Sequence, residues 1–462
     1  MPKITTKLWS HQQQMTDFAL KELNELGYTW WIAGCATGKT LTTYNLANEL
    51  GAKRTLVLTK KTIIDQAWGG TAERFTSGFN YIPLNKGTSK DKAELMWQRR
   101  NSPNSVFVVN YETAALIAPE LTRMKFDLVV ADESHKLKTH NSQQSMKLAL
   151  ALNDVPMHVA MTGTAWDDRP TDSYGQVRWM SGAYKRGKTV GSKVLGAWTN
   201  FFEEYVVYRQ IDNIKIPIRY KNQDQLRRKI DPFTMYLNSE DVLDLPPEID
   251  INRYVEWTPE LKRIYRDLEV EMIAQSNGGT VVADNVLTQG LRLHQLTGGY
   301  FAADTGGHFV ATPKIDAVVD ILDEIGGQPT VIFTAFTTDV EALKPALEKE
   351  WYKVKLLIGG TYEHEEFQRG DGDVILVNLS AGNAGIELTR ARYAIYYSVG
   401  NSRTDYRQSR YRVRRPGSNV LHPITYFHLV LPGSVDEDLH KAMSSKGKLA
   451  DYLLEGLQNR VQ

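Results

Sequence analysis

One cysteine, Cys35, is all the thiol this 462-residue chain contains. A single thiol excludes an intramolecular disulfide framework and fits a reducing compartment. Its place in a loop of small residues suits a filler side chain rather than a nucleophile. Net charge is equally scarce: +1 at neutral pH excludes a globally polybasic binder, so any nucleic-acid surface must be local. Long apolar runs are missing, since none approaches the roughly 20 residues a helix needs to span a bilayer. The opening MPKITTKLWSHQQQ lacks the apolar core of a signal peptide. The expectation is a soluble cytoplasmic protein with no membrane partner. Internal repeats and low-complexity segments are absent too. His364-Glu365-Glu366 lacks the H-E-x-x-H spacing of a zinc site and reads as helix surface.

What is present is an ordinary globular composition, 42% apolar and 24% charged, on a chain long enough for two to four domains. The stretch from Thr29 to Asn45, TWWIAGCATGKTLTTYN, stands out. Trp30, Trp31 and Ile32 can form a buried strand, the two tryptophans packing in the core. A tight turn through Gly34, Cys35, Ala36 and Thr37 follows, then Gly38-Lys39-Thr40 and a helical pattern. Strand, small-residue loop and helix N-terminus make a phosphate cradle. Backbone N–H groups converge on the anion, Lys39 neutralises charge, and the Thr40 hydroxyl can hold Mg²⁺. The fit to G-x-x-x-x-G-K-[ST] departs at Ala33, which replaces the first glycine. A Gly-Lys-Thr alone also occurs in ordinary turns, so the partners downstream decide.

An amphipathic helix is expected from Leu8 to Leu26, ending at Gly27. Apolar runs at Thr55–Leu58, Val106–Val109, Leu128–Ala131 and His158–Met161 read as strands of a parallel α/β sheet. From Ser173 to Lys229 basic residues outnumber acidic ones with aromatics interleaved, either a solvated insertion or a phosphate-contacting surface ending in Arg227, Arg228 and Lys229. After the break at Leu245-Pro246-Pro247, helical stretches are expected at Pro259–Ala274 and around Asn285–Leu296. A second α/β pattern then places strands at Thr330–Phe333, Val354–Ile358, Val374–Asn378, Tyr393–Tyr397 and Thr425–Val430.

Asp132-Glu133 closes the strand Leu128–Ala131. A carboxylate there can hold Mg²⁺ through its water shell, and the adjacent glutamate can orient the attacking water. Such a pair is often only the start of a solvated loop; it gains weight from the phosphate loop on the same expected sheet.

Asp132-Glu133-Ser134-His135 resembles the DExH box of superfamily 2 helicases, and further motifs follow in that superfamily's order. Leu8-x-x-His11-Gln12 resembles the glutamine motif that recognises adenine. Thr162-Gly163-Thr164 resembles the motif coupling hydrolysis to the nucleic-acid site, and Val331–Phe336 the opening strand of the second lobe. Ser380 to Thr389 resembles motif V, and Gln408 to Gly417 resembles motif VI. Within the superfamily the likeness is to Swi/Snf-type double-stranded DNA translocases, through Asn110-Tyr111-Glu112, the Thr-Gly-Thr and Asp241 to Pro247. The compact size resembles a phage-encoded or bacterial minimal member. Cys35, Ala36, Glu387 and Ser418 depart from the family pattern, and the stretch from Gly359 to Val374 is shorter than usual.

The resemblance implies an α/β fold of two RecA-like lobes, parallel sheets flanked by helices, with a helical, basic insertion between them. Residues 1–172 would be the ATP-binding lobe, 173–312 the insertion and connector, and 313–462 the second lobe. It implies an ATP- and Mg²⁺-dependent DNA translocase or helicase acting on duplex, forked or branched DNA. Gln12 would lie at adenine and the loop Gly34 to Gly38 at the phosphates, with Lys39 and Thr40. Asp132 would stand on the metal side with Thr40, and Glu133 would position water. Arg412 and Arg415 would come from the opposite lobe, with Glu387 and Gln408 also at the nucleotide. Thr59, Lys60, Tyr111, Arg227, Arg228, Ser380 and Thr389 would face nucleic acid. An RNA-directed or single-strand helicase, or a non-hydrolysing ATP switch on DNA, are the alternatives. Oligomeric state stays open, a monomer being sufficient.

Overall fold

A computed structural model describes residues 2–163, 169–186, 189–211, 214–276, 283–303, 306–380, 386–416 and 422–444, together with 452 and 456. The chain divides into two compact units, Met1–Leu243 and Asp244–Gln462.

In the first unit seven strands form one parallel sheet: β1 (Tyr28–Ala33), β2 (Arg54–Thr59), β3 (Asn80–Pro83), β4 (Ser105–Asn110), β5 (Leu128–Asp132), β6 (Met157–Thr162) and β7 (Thr234–Leu237). Their order is β7-β1-β6-β5-β2-β4-β3. The central strands read as continuous apolar runs because helices cover both faces, which removes any reason for polar alternation. Leu56, Val57, Leu58, Val129, Val130 and Ala131 are accordingly buried on both sides. Trp30 and Trp31 are fully buried in β1, in the core as expected. Helix α1 (Ser10–Leu26) packs beside β1 and stops at Gly27, whose φ of +81° is the left-handed C-cap that glycine adopts without Cβ strain. Helix α2 (Lys39–Glu49) leaves the loop after β1.

The second unit repeats the plan with β8 (Glu248–Tyr254), β9 (Thr330–Thr334), β10 (Val354–Ile358), β11 (Thr361–Tyr362), β12 (Val374–Asn378), β13 (Tyr393–Tyr396) and β14 (Ile424–Val430). The order is β8-β14-β13-β9-β12-β10-β11, parallel except for the β10–β11 pair. Strand β8 lies where the sequence suggested only a break before a helix. It is an edge strand with Ile249 and Ile251 exposed, so the burial that makes an apolar signature is missing.

Residues 173–312 contribute helices, including α3 (Gln223–Ile230) and α4 (Ser239–Val242), and also strand β7 to the first sheet and β8 to the second. They further carry antiparallel strand pairs, 183–186 with 189–192, 206–211 with 214–220, and 300–303 with 306–309. Helix α5 (Arg403–Val413) follows β13. His364 begins a short helix, His364–Gln368. No helix among the described residues is long and apolar enough to cross a membrane.

Candidate nucleotide site

The carboxyl ends of β1, β5 and β6 are adjacent in the first sheet, and the residues following them gather there, as open α/β sheets arrange their ligand sites. After Ala33 the chain turns sharply. The Thr37 hydroxyl donates to the Gly34 carbonyl at 2.9 Å, and Ala36 sits at φ +60°. That conformation explains why glycine is common at this place in phosphate loops, and here alanine accepts it at a cost. Gly38, at φ +78°, has a different constraint: a Cβ there would lie 2.0 Å from the Gln12 amide nitrogen. Gln12 is thereby set against the loop. Its Oε1 accepts from Trp9 N at 2.9 Å, and neighbouring His11 donates from Nε2 to the Thr37 carbonyl at 3.0 Å.

Lys39 opens α2, and its ammonium donates to the Ala33 and Gly34 carbonyls at 2.8 Å each. The first turn of α2 presents the unpaired N–H groups that bind anions. Thr40 is the second residue of that turn and is half-buried.

Asp132 ends β5 and is almost wholly buried. Burial pushes its carboxyl pKa up and the neighbouring Glu133 charge adds to this, while Lys39, Trp68 and Thr59 oppose it. Two donors hold Oδ2: Thr59 Oγ1 at 2.9 Å and Trp68 Nε1 at 3.1 Å. Tyr111 donates its hydroxyl to the Asp132 carbonyl at 2.7 Å. Glu133 takes the left-handed conformation, φ +55°, which redirects the chain as it leaves the strand. Burial raises the Glu133 pKa, but the His135 ring 3.2 Å away, with Lys60 and Lys39, brings it down to about 2. The same His135 Nδ1 lies 3.3 Å from the Thr162 hydroxyl at the end of β6, so the carboxylate pair and the Thr162-Gly163 turn share one imidazole.

The structure thus gathers Gln12, the loop Gly34 to Gly38, Lys39, Thr40, Asp132 and Glu133 on one edge of one sheet. The donor set suits a triphosphate with Mg²⁺: a hydroxyl and a carboxylate are hard oxygens, and this ion takes one or two carboxylates with phosphate and water. No group of three or more metal-ligating side chains occurs among the described residues.

Two residues expected at nucleic acid are turned inward instead. Thr59 and Tyr111 are buried, and their hydroxyls are used on Asp132. The reason is positional: Thr59 ends β2 beside β5, and Tyr111 directly follows β4. Lys60 is half-buried, with its charge acting on Glu133. Arg227 and Arg228 lie exposed on α3, whose Leu226 and Ile230 face the core. In the second unit Ser380 is exposed, its hydroxyl donating to Asn378 Oδ1 at 2.6 Å, and Thr389 accepts from Gln368 Nε2 at 3.1 Å.

Helix α5 carries Gln408, half-buried, and Arg412, buried. Beyond it Arg415 donates to the Tyr411 carbonyl at 3.0 Å and pairs with Glu387 at 3.1 Å. The structure therefore brings these two expected nucleotide-site residues together. Arg410 instead forks onto Asp250 of β8 at 2.6 and 2.9 Å, and Arg414 donates to the Pro246 carbonyl at 2.6 Å. Thr164, the segment 381–385, Gly417 and Ser418 lie outside the described residues. Sequence reading missed Trp68, which belongs to no motif and reaches Asp132 only through the fold.

Two family models match the chain: "Type III restriction enzyme, res subunit" over residues 5–166 and "Helicase conserved C-terminal domain" over 313–417. Putative protein p41 of Acyrthosiphon pisum secondary endosymbiont phage 1 is 22% identical, the match covering 93% of this chain and 94% of that protein. Putative ATP-dependent helicase/translocase YwqA of Bacillus subtilis is 22% identical over 76% of this chain. Chromodomain-helicase-DNA-binding protein 1-like of Danio rerio is 24% identical over 87% of it. This chain spans 39% of the length of each of the latter two. Among solved structures, the Sulfolobus solfataricus SWI2/SNF2 ATPase core in complex with dsDNA is 18% identical, with a TM-score of 0.45 and coverage of 96% of this chain and 91% of that one.

Proposed function

The chain belongs to the superfamily 2 helicases of Swi/Snf type and is an ATP-hydrolysing enzyme, and from that premise we propose that it couples hydrolysis to movement along duplex or branched DNA. The observation that carries the nucleotide part is the Lys39 ammonium, on the loop carbonyls and within electrostatic reach of both Asp132 and Glu133. Lys39 and the α2 N–H groups bind the β- and γ-phosphates, and Gln12 contacts adenine. Thr40 and Asp132 hold Mg²⁺, which when bound neutralises charge on the phosphates. Thr59 and Trp68 hold the Asp132 carboxylate, and Tyr111 holds its backbone carbonyl. Glu133, ionised at neutral pH, accepts a hydrogen bond from the attacking water and orients it. Arg412 and Arg415, with Gln408 and Glu387, are the groups the second unit brings to the nucleotide; a guanidinium at the γ-phosphoryl group meets charge that grows in the transition state.

DNA is favoured over RNA because relatives of this chain carry DNA in their names. The exposed pair Arg227 and Arg228, with Lys60, Ser380 and Thr389, is the proposed backbone-contacting set, suited to phosphate tracking rather than base reading. The setting proposed is the cytoplasm of a bacterium or phage-infected host. Glu133→Gln tests the hydrolytic part. It should bind ATP as the parent does while losing hydrolysis by about a hundredfold or more, in line with the 10²–10⁴ contributed by positioned acid–base groups. Hydrolysis within a few-fold of the parent would remove Glu133 from its role.

A further inference from the structure

The phosphate loop has a neighbour that none of its motifs contains. Strand β7 runs parallel to β1 on the edge of the sheet, with Leu237 opposite Ala33, and the Leu237 carbonyl accepts from Gly34 N at 2.9 Å. Two residues on, Ser239 donates its hydroxyl to the Cys35 carbonyl at 2.6 Å. Ser239 is almost fully buried. The approach is close enough to dictate sequence: a Cβ on Gly34 would lie 2.2 Å from Ser239 Oγ and 3.0 Å from Ser239 N. The turn Gly34-Cys35-Ala36 is therefore bracketed, by Leu237 and Ser239 on one side and by Thr37 on the other. Its strained member, Ala36, is held in place by these bonds rather than by its own preference.

We infer that Ser239 is a positioning residue for the phosphate loop, holding the turn Gly34-Cys35-Ala36 in its anion-binding conformation from outside the loop. This rests on the ATPase reading above and assigns it a part outside the recognised motifs. Without the Ser239 hydroxyl the turn loses one of its braces, so the loop spends less time in the anion-binding geometry. The loss falls on ATP affinity, because Ser239 touches neither the carboxylate pair nor the attacking water.

The test uses the full chain and compares Ser239→Ala and Ser239→Thr with the parent. Binding of a non-hydrolysable ATP analogue with Mg²⁺, steady-state ATP hydrolysis with saturating duplex DNA, and melting temperature are measured. Ser239→Ala should weaken analogue binding and raise the KM for ATP about five- to tenfold, with kcat within about twofold of the parent, the size expected for one lost hydrogen bond. Ser239→Thr, which keeps the hydroxyl, should recover most of the affinity. A lowered melting temperature with unchanged analogue affinity would overturn the positioning role. A parent without ATPase activity would instead refute the functional reading, leaving the analogue-binding comparison to judge Ser239.

Discussion

At the scale of single residues, the chemistry was legible where the groups are contiguous. Gly38-Lys39-Thr40 and Asp132-Glu133 are each a few letters long, and the backbone brings each to the sheet edge without help from elsewhere. Their supports were not legible. Thr59, Trp68 and Tyr111 reach Asp132 from three separate segments, and nothing in their local pattern separates a support of the carboxylate from a contact with nucleic acid. Ala36 shows the converse, a departure from pattern that the structure explains as a tolerated left-handed alanine. The left-handed conformation costs a non-glycine residue about 1–2 kcal/mol, against about 0.5–1 kcal/mol of extra chain entropy lost on ordering glycine. Ala36→Gly should therefore stabilise the first unit slightly, by about 0.5–1 kcal/mol, and keep ATP turnover. Ala36→Val, branched at Cβ, should cost at least as much in the other direction and weaken ATP binding. Denaturant titration alongside ATP affinity checks both, and a Val variant indistinguishable from the parent would contradict the strained turn.

At the scale of elements, central strands were readable and edge strands were not. Each central strand is apolar on both faces because both faces are covered, so its boundaries come within a residue or two of the expected ones. β7 is only four residues long, β8 mixes polar and apolar residues, and each has a single strand neighbour, so neither carried a signal. Helix α3 illustrates the amphipathic rule: Leu226 and Ile230 face in, while Arg227 and Arg228 face solvent. Exposed arginines without base-reading geometry suit phosphate contact, and counterion release gives each such contact a slope of about 0.9 in log K against log salt for duplex DNA. Arg227→Gln with Arg228→Gln should weaken DNA binding about equally for unrelated sequences and flatten the salt dependence by roughly two log units of slope. An unchanged slope would make α3 a solvated surface and move the DNA contact elsewhere.

At the scale of the whole molecule, two units with separate cores share a buried-histidine signature that sets a pH dependence. Burial lowers His158 in the first unit and His294 in the second to about 4. The unfolded chain takes up these protons near pH 6.5, so between about 6.5 and 4 it binds more protons than the folded chain, and stability falls as the pH drops through that window. Asp339, raised to about 6 by burial, works in the opposite direction, gaining stability as pH falls toward the usual carboxylate range. Each such group contributes at most about 1.36 kcal/mol per pH unit. Replacing His158 with Gln should flatten the fall in first-unit stability between pH 6.5 and 5 in urea titrations; an unaltered slope would mean that His158 does not titrate on unfolding. The central claim, however, concerns what drives the motor, and ATP hydrolysis by the parent chain with Mg²⁺ and equal nucleotide concentrations of duplex DNA, single-stranded DNA or RNA tests it most directly. The account predicts the greatest stimulation by duplex DNA; stimulation by RNA alone, or by no nucleic acid at all, would contradict it.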